Sequence, residues 1–327
     1  MDRASYTIDH GRFQSQRRRV AMSSKRLWIG GYGPERSAHG AGLATIRRVV
    51  EAETNGDVEV EVTWNIMDEG RPNTDLLDLV ESGHMFLCYF SSSYLGDRVP
   101  ELNVLETPFL FDDLQAAHRA LDRSLGESLA EAVRSATGFE VLGFWDNGFR
   151  HLTNRLRPVH SPGDCKGMTV RLQPNVIHEE LIRSWGAIPI PVELSMGIQL
   201  ISRLDVDAQE NPLANTVAYG VDQVHRHVTM SGHLYGARGL FAHRGTWDSL
   251  PGELREIVAR AARTAIEVQR EEAARHEQSL RSDLEAGGTE FVDLTSEERD
   301  AFVEISAPAI TLAHAHAPAR MFDMAAG

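Results

Sequence analysis

Residues 148–175 read GFRHLTNRLRPVHSPGDCKGMTVRLQPN. A helix-sized interval follows, then WGAIPIPVEL at 185–194 and LDVDAQENPLAN at 204–215. Arg150 and Arg171 each stand where a short strand would run into a loop, and Asn211 stands at the end of another short strand. Short strands separated by helix-length segments predict an α/β fold. Ligands of open α/β sheets gather outside the carboxyl ends of strands, so these arginines predict a site for an acid group.

The chain upstream carries the same alternation. Leu27-Trp28-Ile29 is a short apolar run ended by Gly30-Gly31, and 41–53 reads as a helix. Val58, Val60 and Val62 alternate with Glu59 and Glu61, a period-two strand. A helix over 73–81 is stopped by Gly83, and 85–90 is a continuous apolar run, as in a buried strand. This order predicts a parallel sheet with crossover helices. Leu114, Ala117, Leu121, Leu125, Leu129 and Val133 step by three and four, predicting one helix from 112 to 134. A strand over 141–145 then leads to the arginine stretch.

Downstream, 174–185 and 196–201 read as helices and 224–241 as mixed strand and turn. The longest signal runs from 251 to 286, with Pro251 at its start and Gly287-Gly288 beyond its end. Leu254, Ile257, Val258, Ala261, Ala265 and Ile266 form its apolar stripe. Glu256–Arg260, Glu271–Arg275 and Glu277–Arg281 are its expected i,i+4 pairs. At 1.5 Å per residue such a helix spans roughly 50 Å, longer than one small domain is wide, and predicts a bridge between two lobes. A strand at 291–292 and a last helix over 296–313 complete the chain.

Composition bounds the function. A chain of 327 residues, 42% hydrophobic and 24% charged, suits two globular lobes. A net charge of −14 argues against nucleic acid or an anionic membrane as partner, yet a buried arginine pair still binds an anion at short range. Two cysteines, Cys88 and Cys165, leave a single bridge open and predict no metal cluster. No stretch approaches the ~20 apolar residues of a membrane span. The first residues are basic and polar without an apolar core segment. The expectation is a disordered leader over 1–25 or a start at Met22, and a twin-arginine signal fits poorly.

Other candidates carry less. Glu69, Ser91, Ser92, Ser93 and Tyr94 follow early strands and would complete a cleft from its opposite wall, although each alone reads as a solvated loop residue. His225, His227 and His233 lack metal-ligand spacing, and so do His314 and His316. Gly30-Gly31-Tyr32-Gly33 has Arg36 where a dinucleotide fingerprint needs its third glycine. No nucleophile elbow, phosphate loop or paired acid/base constellation proposes a reaction, so a binding protein without cofactor or catalysis is expected. For Arg171 the structural alternative is a partner carboxylate; for Arg150 it is a lobe–lobe salt bridge; for Asn211 it is a cap on the helix beginning at Pro212.

Taken together the stretches resemble the solute-binding receptors of tripartite ATP-independent periplasmic (TRAP) transporters, of the dicarboxylate-receptor type. The matching words are 108–111 PFLF, 148–150 GFR with 152–154 LTN, and 164–171 DCKGMTVR. Further on come 186–189 GAIP, 206–212 VDAQENP and 229–233 TMSGH. The resemblance runs from about 27 to the last helix. It implies a two-lobe, periplasmic-binding-protein-like fold that closes on a small organic carboxylate and hands it to integral-membrane transporter subunits. It places the carboxylate-clamping arginine at Arg171, a second ligand-side arginine at Arg150 and a ligand-side amide at Asn211, with Pro174 and Asn175 in a pocket loop. Leu194 stands where members commonly have an aromatic residue and Ala208 where they have glycine, so no particular ligand is implied. The lobes are expected at 26–147 plus 237–275 and at 148–236 plus 276–327, as a monomer or homodimer. The resemblance implies a periplasmic location. The alternative, a cytoplasmic ligand sensor or enzyme on the same frame, rests on the unreadable signal.

Overall fold

A computed structural model describes residues 25–327, so the expected leader (except Lys25) and the start at Met22 lie outside the described residues. Strand β1 (Lys25–Gly30), helix α1 (Ala38–Glu53) and strand β2 (Val58–Thr63) form the first crossover. The Ser37 hydroxyl caps α1 by accepting from Gly40 N at 3.0 Å. In β2, Val58 and Val60 are buried while Glu59 and Glu61 are exposed, as the alternation requires. Helix α2 (Asp75–Glu81) leads to β3 (Leu87–Ser91), buried at every position. Both β2 and β3 pair with β1 in parallel.

The single helix expected over 112–134 is two, α3 (Leu114–Leu121) and α4 (Ser124–Ala136). The chain turns at Asp122, whose carboxylate receives Arg270 at 2.7 and 2.9 Å, and Arg123 is extended (φ −129°, ψ −146°). The strand expected over 141–145 is β4 (Phe139–Asn154), and the mixed segment over 224–241 is one long strand, β8 (His227–His243). Between them lie β5 (Thr169–Leu172), α5 (Val176–Ser184), β6 (Ile188–Pro191), α6 (Leu194–Ser202), β7 (Ala208–Asn211) and α7 (Leu213–Ala218). After β8 come α8 (Arg244–Ser249), α9 (Gly252–Ala286) and β9 (Glu290–Val292). The last expected helix is interrupted at Ser306, because Pro308 cannot donate to the preceding turn. It becomes α10 (Ser296–Ile305) and α11 (Ala307–His316), and α12 (Ala319–Ala326) follows unforeseen.

The strands form one sheet in the order β2-β1-β3-β8-β4-β7-β5-β6, with β9 on β8. Two main cores sit on it, with two smaller apolar clusters around Leu280 and Ile201. Leu43, Leu87, Phe90, Trp145, Phe241 and Ala261 belong to the first; Val170, Ile182, Trp185, Phe302 and Ala313 belong to the second. Strands β4 and β8 feed both, Trp145 and Phe241 entering the first and Leu152 and Leu234 the second. Cys88 and Cys165 are buried, unpaired and in different cores. The expected second lobe included all of 276–327, but α12 buries Met321 in the first core and packs on α3 and α4.

Where the β4–β8 ladder passes from one core to the other, its register slips between Asp146 and Gly148. Gly148 has φ +93°, a conformation that side chains with a Cβ rarely adopt. Gln269 of α9, wholly buried, clamps this point: its Oε1 accepts from Asp146 N at 2.9 Å and its Nε2 donates to Asp146 O at 2.7 Å. The Asp146 carboxylate meets His118 Nε2 at 2.8 Å and accepts from the Tyr235 hydroxyl. Helix α9 packs on the first core as far as Gln269 and re-enters burial only at Leu280 and Leu284. Its expected i,i+4 pairs mostly reach elsewhere, Arg260 to Glu53 on α1 at 2.6 Å and Arg281 to Glu285 and Asp293. Glu271–Arg275 persists at 3.9 Å. Such surface pairs add little.

Two outcomes follow from this junction. Gln269→Leu leaves both Asp146 backbone groups unpaired and lowers the unfolding free energy by about 2–4 kcal/mol in denaturant titration. A loss below about 0.5 kcal/mol would remove the clamp from this account. Burial pushes the Glu277 carboxyl up to about 7 from the ordinary 4.5, so folding takes up a proton there. Stability from this group is therefore full below pH 4.5 and falls as pH rises towards 7; Glu277→Gln flattens that slope in melting curves across the range.

Candidate functional site

Arg171 lies in β5, whose register places it beside Gln209 of β7 and Ile190 of β6. The strand carries it into a narrow cavity between the two cores, where it is 3% exposed. One Nη donates to the Val192 carbonyl at 2.9 Å, and Nε has no partner. Among the described residues no carboxylate pairs with it, so the structural alternative of a partner acid is not what the fold provides. Burial pushes its pKa below the ordinary guanidinium value, the mark of a charge taken from water without a counter-charge. Gly197 of α6 makes the placement sterically feasible. A Cβ there would stand 2.4 Å from Arg171 Nε and 2.9 Å from its Cδ.

Arg150 lines the same cavity but is compensated. It grips Glu210 of β7 through Nε and Nη2, with Nη2 2.7 Å from Oε1 and 2.8 Å from the Glu210 carbonyl. Register places Leu152 opposite Glu210, so the pair joins adjacent strands rather than separate lobes. Burial pushes the Glu210 carboxyl up, but the Arg150 charge and hydrogen bonds hold it below the usual carboxylate range. His233 Nε2 stands 3.7 Å away, too far for a hydrogen bond.

Asn211 ends β7 in the cavity wall. Its Oδ1 accepts from Asn215 Nδ2 at 2.9 Å, and it caps no helix. Tyr94 and Leu194 line the cavity too. The remaining expected residues lie elsewhere. Pro174 is exposed, and Asn175 is the cap of α5, its Oδ1 accepting from Ile177 N at 2.9 Å. Their neighbour Gln173 takes the wall position instead. Glu69 is exposed at the end of a 3₁₀ turn, Ile66–Glu69. Ser92 points into the first core, donating to Ala237 O at 3.3 Å and Glu106 at 3.4 Å, while Ser91 faces the cavity and donates to Gln173 at 3.4 Å. The histidines bond locally, His225 with Thr153 at 2.9 Å, His227 with Glu290 at 3.1 Å and His233 with Ser231 at 2.7 Å.

Tyr32, Asn73, Asn147, Asn215, Tyr219 and Arg238 complete the wall. Arg238 had a legible signal as the lone charge in LYGARGLFA, 234–242. The asparagines had none. The cavity measures about 20 Å³, room for roughly one water. A larger void of about 580 Å³ lies beside it, under the middle of α9, and shares Asn147, Asn215, Tyr219 and Arg238 as a partition. Neither Arg150 nor Arg171 reaches that void, so the chemistry of the smaller space, not its size, makes it the candidate site.

The Arg150–Glu210 pair gives a sharp test. Arg150→Met strands a buried carboxylate and destabilises the protein by about 3–5 kcal/mol in chemical unfolding. Adding Glu210→Leu recovers most of that loss; a double variant as unstable as the single would refute a self-contained pair.

Comparisons with known proteins identify the family and the fold. The family described as bacterial extracellular solute-binding protein, family 7 (DctP), matches residues 29–315. The C4-dicarboxylate-binding periplasmic protein DctP of Rhodobacter capsulatus is 30% identical over 274 residues, 82% of this chain and 80% of that protein. The crystal structure of a TRAP periplasmic solute-binding protein from Polaromonas sp. JS666, bound to D-erythronate, is 27% identical with a TM-score of 0.86. It covers 92% of this chain and 98% of its own. One from Sulfitobacter sp. NAS-14.1, with bound β-D-galacturonate, is 25% identical with a TM-score of 0.85 over the same shares. The fold is therefore the two-lobe fold of these receptors, and the chain belongs to family 7 of the bacterial extracellular solute-binding proteins, the receptors of TRAP transporters.

Proposed function

We propose that this receptor captures a small organic carboxylate between its lobes, with Arg171 as the anchor, and delivers it to the membrane subunits of a TRAP transporter. The observation that carries the reading is a wholly buried guanidinium that folding leaves without a counter-charge. A carboxylate presents two oxygens to the guanidinium fork and removes that deficit. Asn211, Tyr94 and Leu194 line the space where such a ligand would sit, and Arg150 shapes the wall while its charge is spent on Glu210. The relatives named above that bind sugar acids and C4-dicarboxylates support an organic acid as the cargo.

Capture works by a population shift. A ligand touching both walls binds the closed arrangement better and draws the lobes together. Ser91–Gln173 and the 2.7 Å contact between Glu106 and His178 already join elements of the two cores. We take the lobes as 26–147 plus 237–275, joined by the final helix α12, and 148–236 plus 276–316, hinged at Asp146–Gly148. The protein acts in the periplasm and catalyses nothing in this reading.

Thermal unfolding against a panel of small acids tests it. An acid at 100 times its dissociation constant adds about 2.7 kcal/mol to the folded state, a rise of several degrees. Arg171→Ala abolishes the rise, and Arg171→Lys fails to restore it because one ammonium does not reproduce the fork. Full affinity in the alanine variant would sink the anchor. Gly197→Ala would ordinarily favour a helix by up to about 1 kcal/mol. Here it displaces Arg171, so acid affinity falls at least about tenfold, a loss of about 1.4 kcal/mol, while the fold persists.

A further inference from the structure

The void of about 580 Å³ under the middle of α9 takes no part in the capture proposed above. Its volume lies within the roughly 300–1,000 Å³ of sites that hold small molecules. Much of its wall is apolar, with Phe111, Phe149, Val217 and Met230 contributing. Helix α9 turns one face into it. Ala273, Glu277 and Leu280 stand at i, i+4 and i+7 of that helix, and all three line the void.

Glu277 is the charged group on that face. The sequence offers it Arg281 one turn on, but Arg281 is drawn away to Glu285 at 2.9 Å and Asp293 at 2.6 Å. Among the described residues no hydrogen bond and no ion pair reaches the Glu277 carboxyl, and burial alone raises it to about 7.

The other ionisable groups around the void are committed, neutral or exposed. On β4, Asp146 is bound to His118 and Tyr235. His151, also on β4, accepts from Gly232 N at 3.1 Å and is held neutral by burial, at about 3. His39 of α1 stacks on Tyr89 at 4.8 Å, and burial keeps it neutral too. Arg238 of β8 lies over Tyr32 at 4.6 Å, and Arg299 of α10 over Phe109 at 5.2 Å. Arg36, Asp112 and His276 are exposed. None of these charges stands close enough to shift the Glu277 carboxyl. A lone carboxyl on the wall of an apolar chamber is matched by a cation with an apolar body, which replaces a desolvated acid by a charge-assisted pair.

We infer that the void is a second binding site, for a small organic amine with an aliphatic or aromatic body, its ammonium placed on Glu277. The void shares only a partition with the acid cavity, so an amine there is a second ligand and not the cargo of Arg171.

Thermal shift and calorimetry on the full chain compare matched amines and alcohols: benzylamine with benzyl alcohol, phenethylamine with phenethyl alcohol, cyclohexylmethylamine with cyclohexylmethanol. The members of each pair differ in charge at nearly constant shape. In at least one pair the amine raises the melting midpoint and binds at least about tenfold tighter than its alcohol. The carboxyl must ionise to pair with the ammonium. Binding at pH 6 therefore releases nearly one proton, read by calorimetry in two buffers of unlike ionisation heat, and affinity is about tenfold lower at pH 6 than at pH 8. Glu277→Gln abolishes the preference for amine over alcohol and keeps whatever acid response the wild type has. Ala273→Phe fills the chamber and weakens both members at least about tenfold. Wild-type protein that binds no amine of the panel, or binds the alcohols as tightly, overturns the site. An amine preference that survives Glu277→Gln places the cation elsewhere on this acidic chain and overturns it, as does amine binding untouched by Ala273→Phe. Should either variant lose its cooperative melt, the wild type decides alone: amine binding that releases no proton at pH 6 overturns the pairing with Glu277. A flat response to acids leaves this site standing, since it uses neither Arg150 nor Arg171.

Discussion

A charge withheld from water without a partner sets the terms for this molecule. Taking a guanidinium into the protein interior costs several kcal/mol even after relaxation. At Arg171 that cost is softened by one carbonyl, Val192 O, and by the space that Gly197 leaves, but it is not removed. The strands around it are held by interactions complete in themselves. Glu210 is saturated by Arg150, and Asp207 accepts from Thr169 N and Oγ1 at 3.0 and 2.9 Å. The unsatisfied group thus sits in a frame stiff enough to keep it in place. Local disfavour at a functional site, offset by the surrounding structure, is the general pattern.

The frame is shared as well as stiff. Strands β4 and β8 pass through both cores, so the halves are two ends of one sheet rather than two beads on a linker. In the reading proposed above, a motion between them would concentrate at Asp146–Gly148, one of three places where the ladder's register slips. There the backbone is held by the Gln269 amide rather than by regular pairing alone. A few residues that absorb a backbone rotation, flanked by rigid packing, are what a hinge consists of. The middle of α9, thinly packed between Gln269 and Leu280, runs over the same point.

Periodic elements with clean ends were legible in the sequence. The Val/Glu alternation of β2 and the long α9, bracketed by Pro251 and Gly287, came out within a residue or two. Long strands were not, because Gly143, Asp146, Asn147 and Gly148 in β4, and Gly232, Gly236 and Gly239 in β8, read locally as turns. Tertiary pairing overrides that local preference. The break before Pro308 carried a local signal although one unbroken helix was expected over 296–313, and the break at Asp122 carried none, its carboxylate meeting Arg270 far along the chain. At the site Arg171 was visible because it ends a short strand beside a loop. Arg238 was hidden within an apolar run, and Asn73, Asn147 and Asn215 reach the wall only through the fold. Pro174 and Asn175 stand one and two residues past the wall position, since Gln173 faces inward and Asn175 turns away to cap α5.

The narrowness of the cavity has a kinetic corollary. A space with room for roughly one water admits no four-carbon acid, in or out, unless its walls separate. If the lobes close on a cargo there as proposed, residence time is governed by how often the hinge opens, and improving contacts with the cargo lengthens it only by making opening rarer. Handover cannot wait on tight binding to relax by itself. In the receptor reading proposed above, a membrane partner that grips the open arrangement would supply that step. By reciprocity such a partner loosens the cargo by the same factor by which the cargo disfavours its own docking.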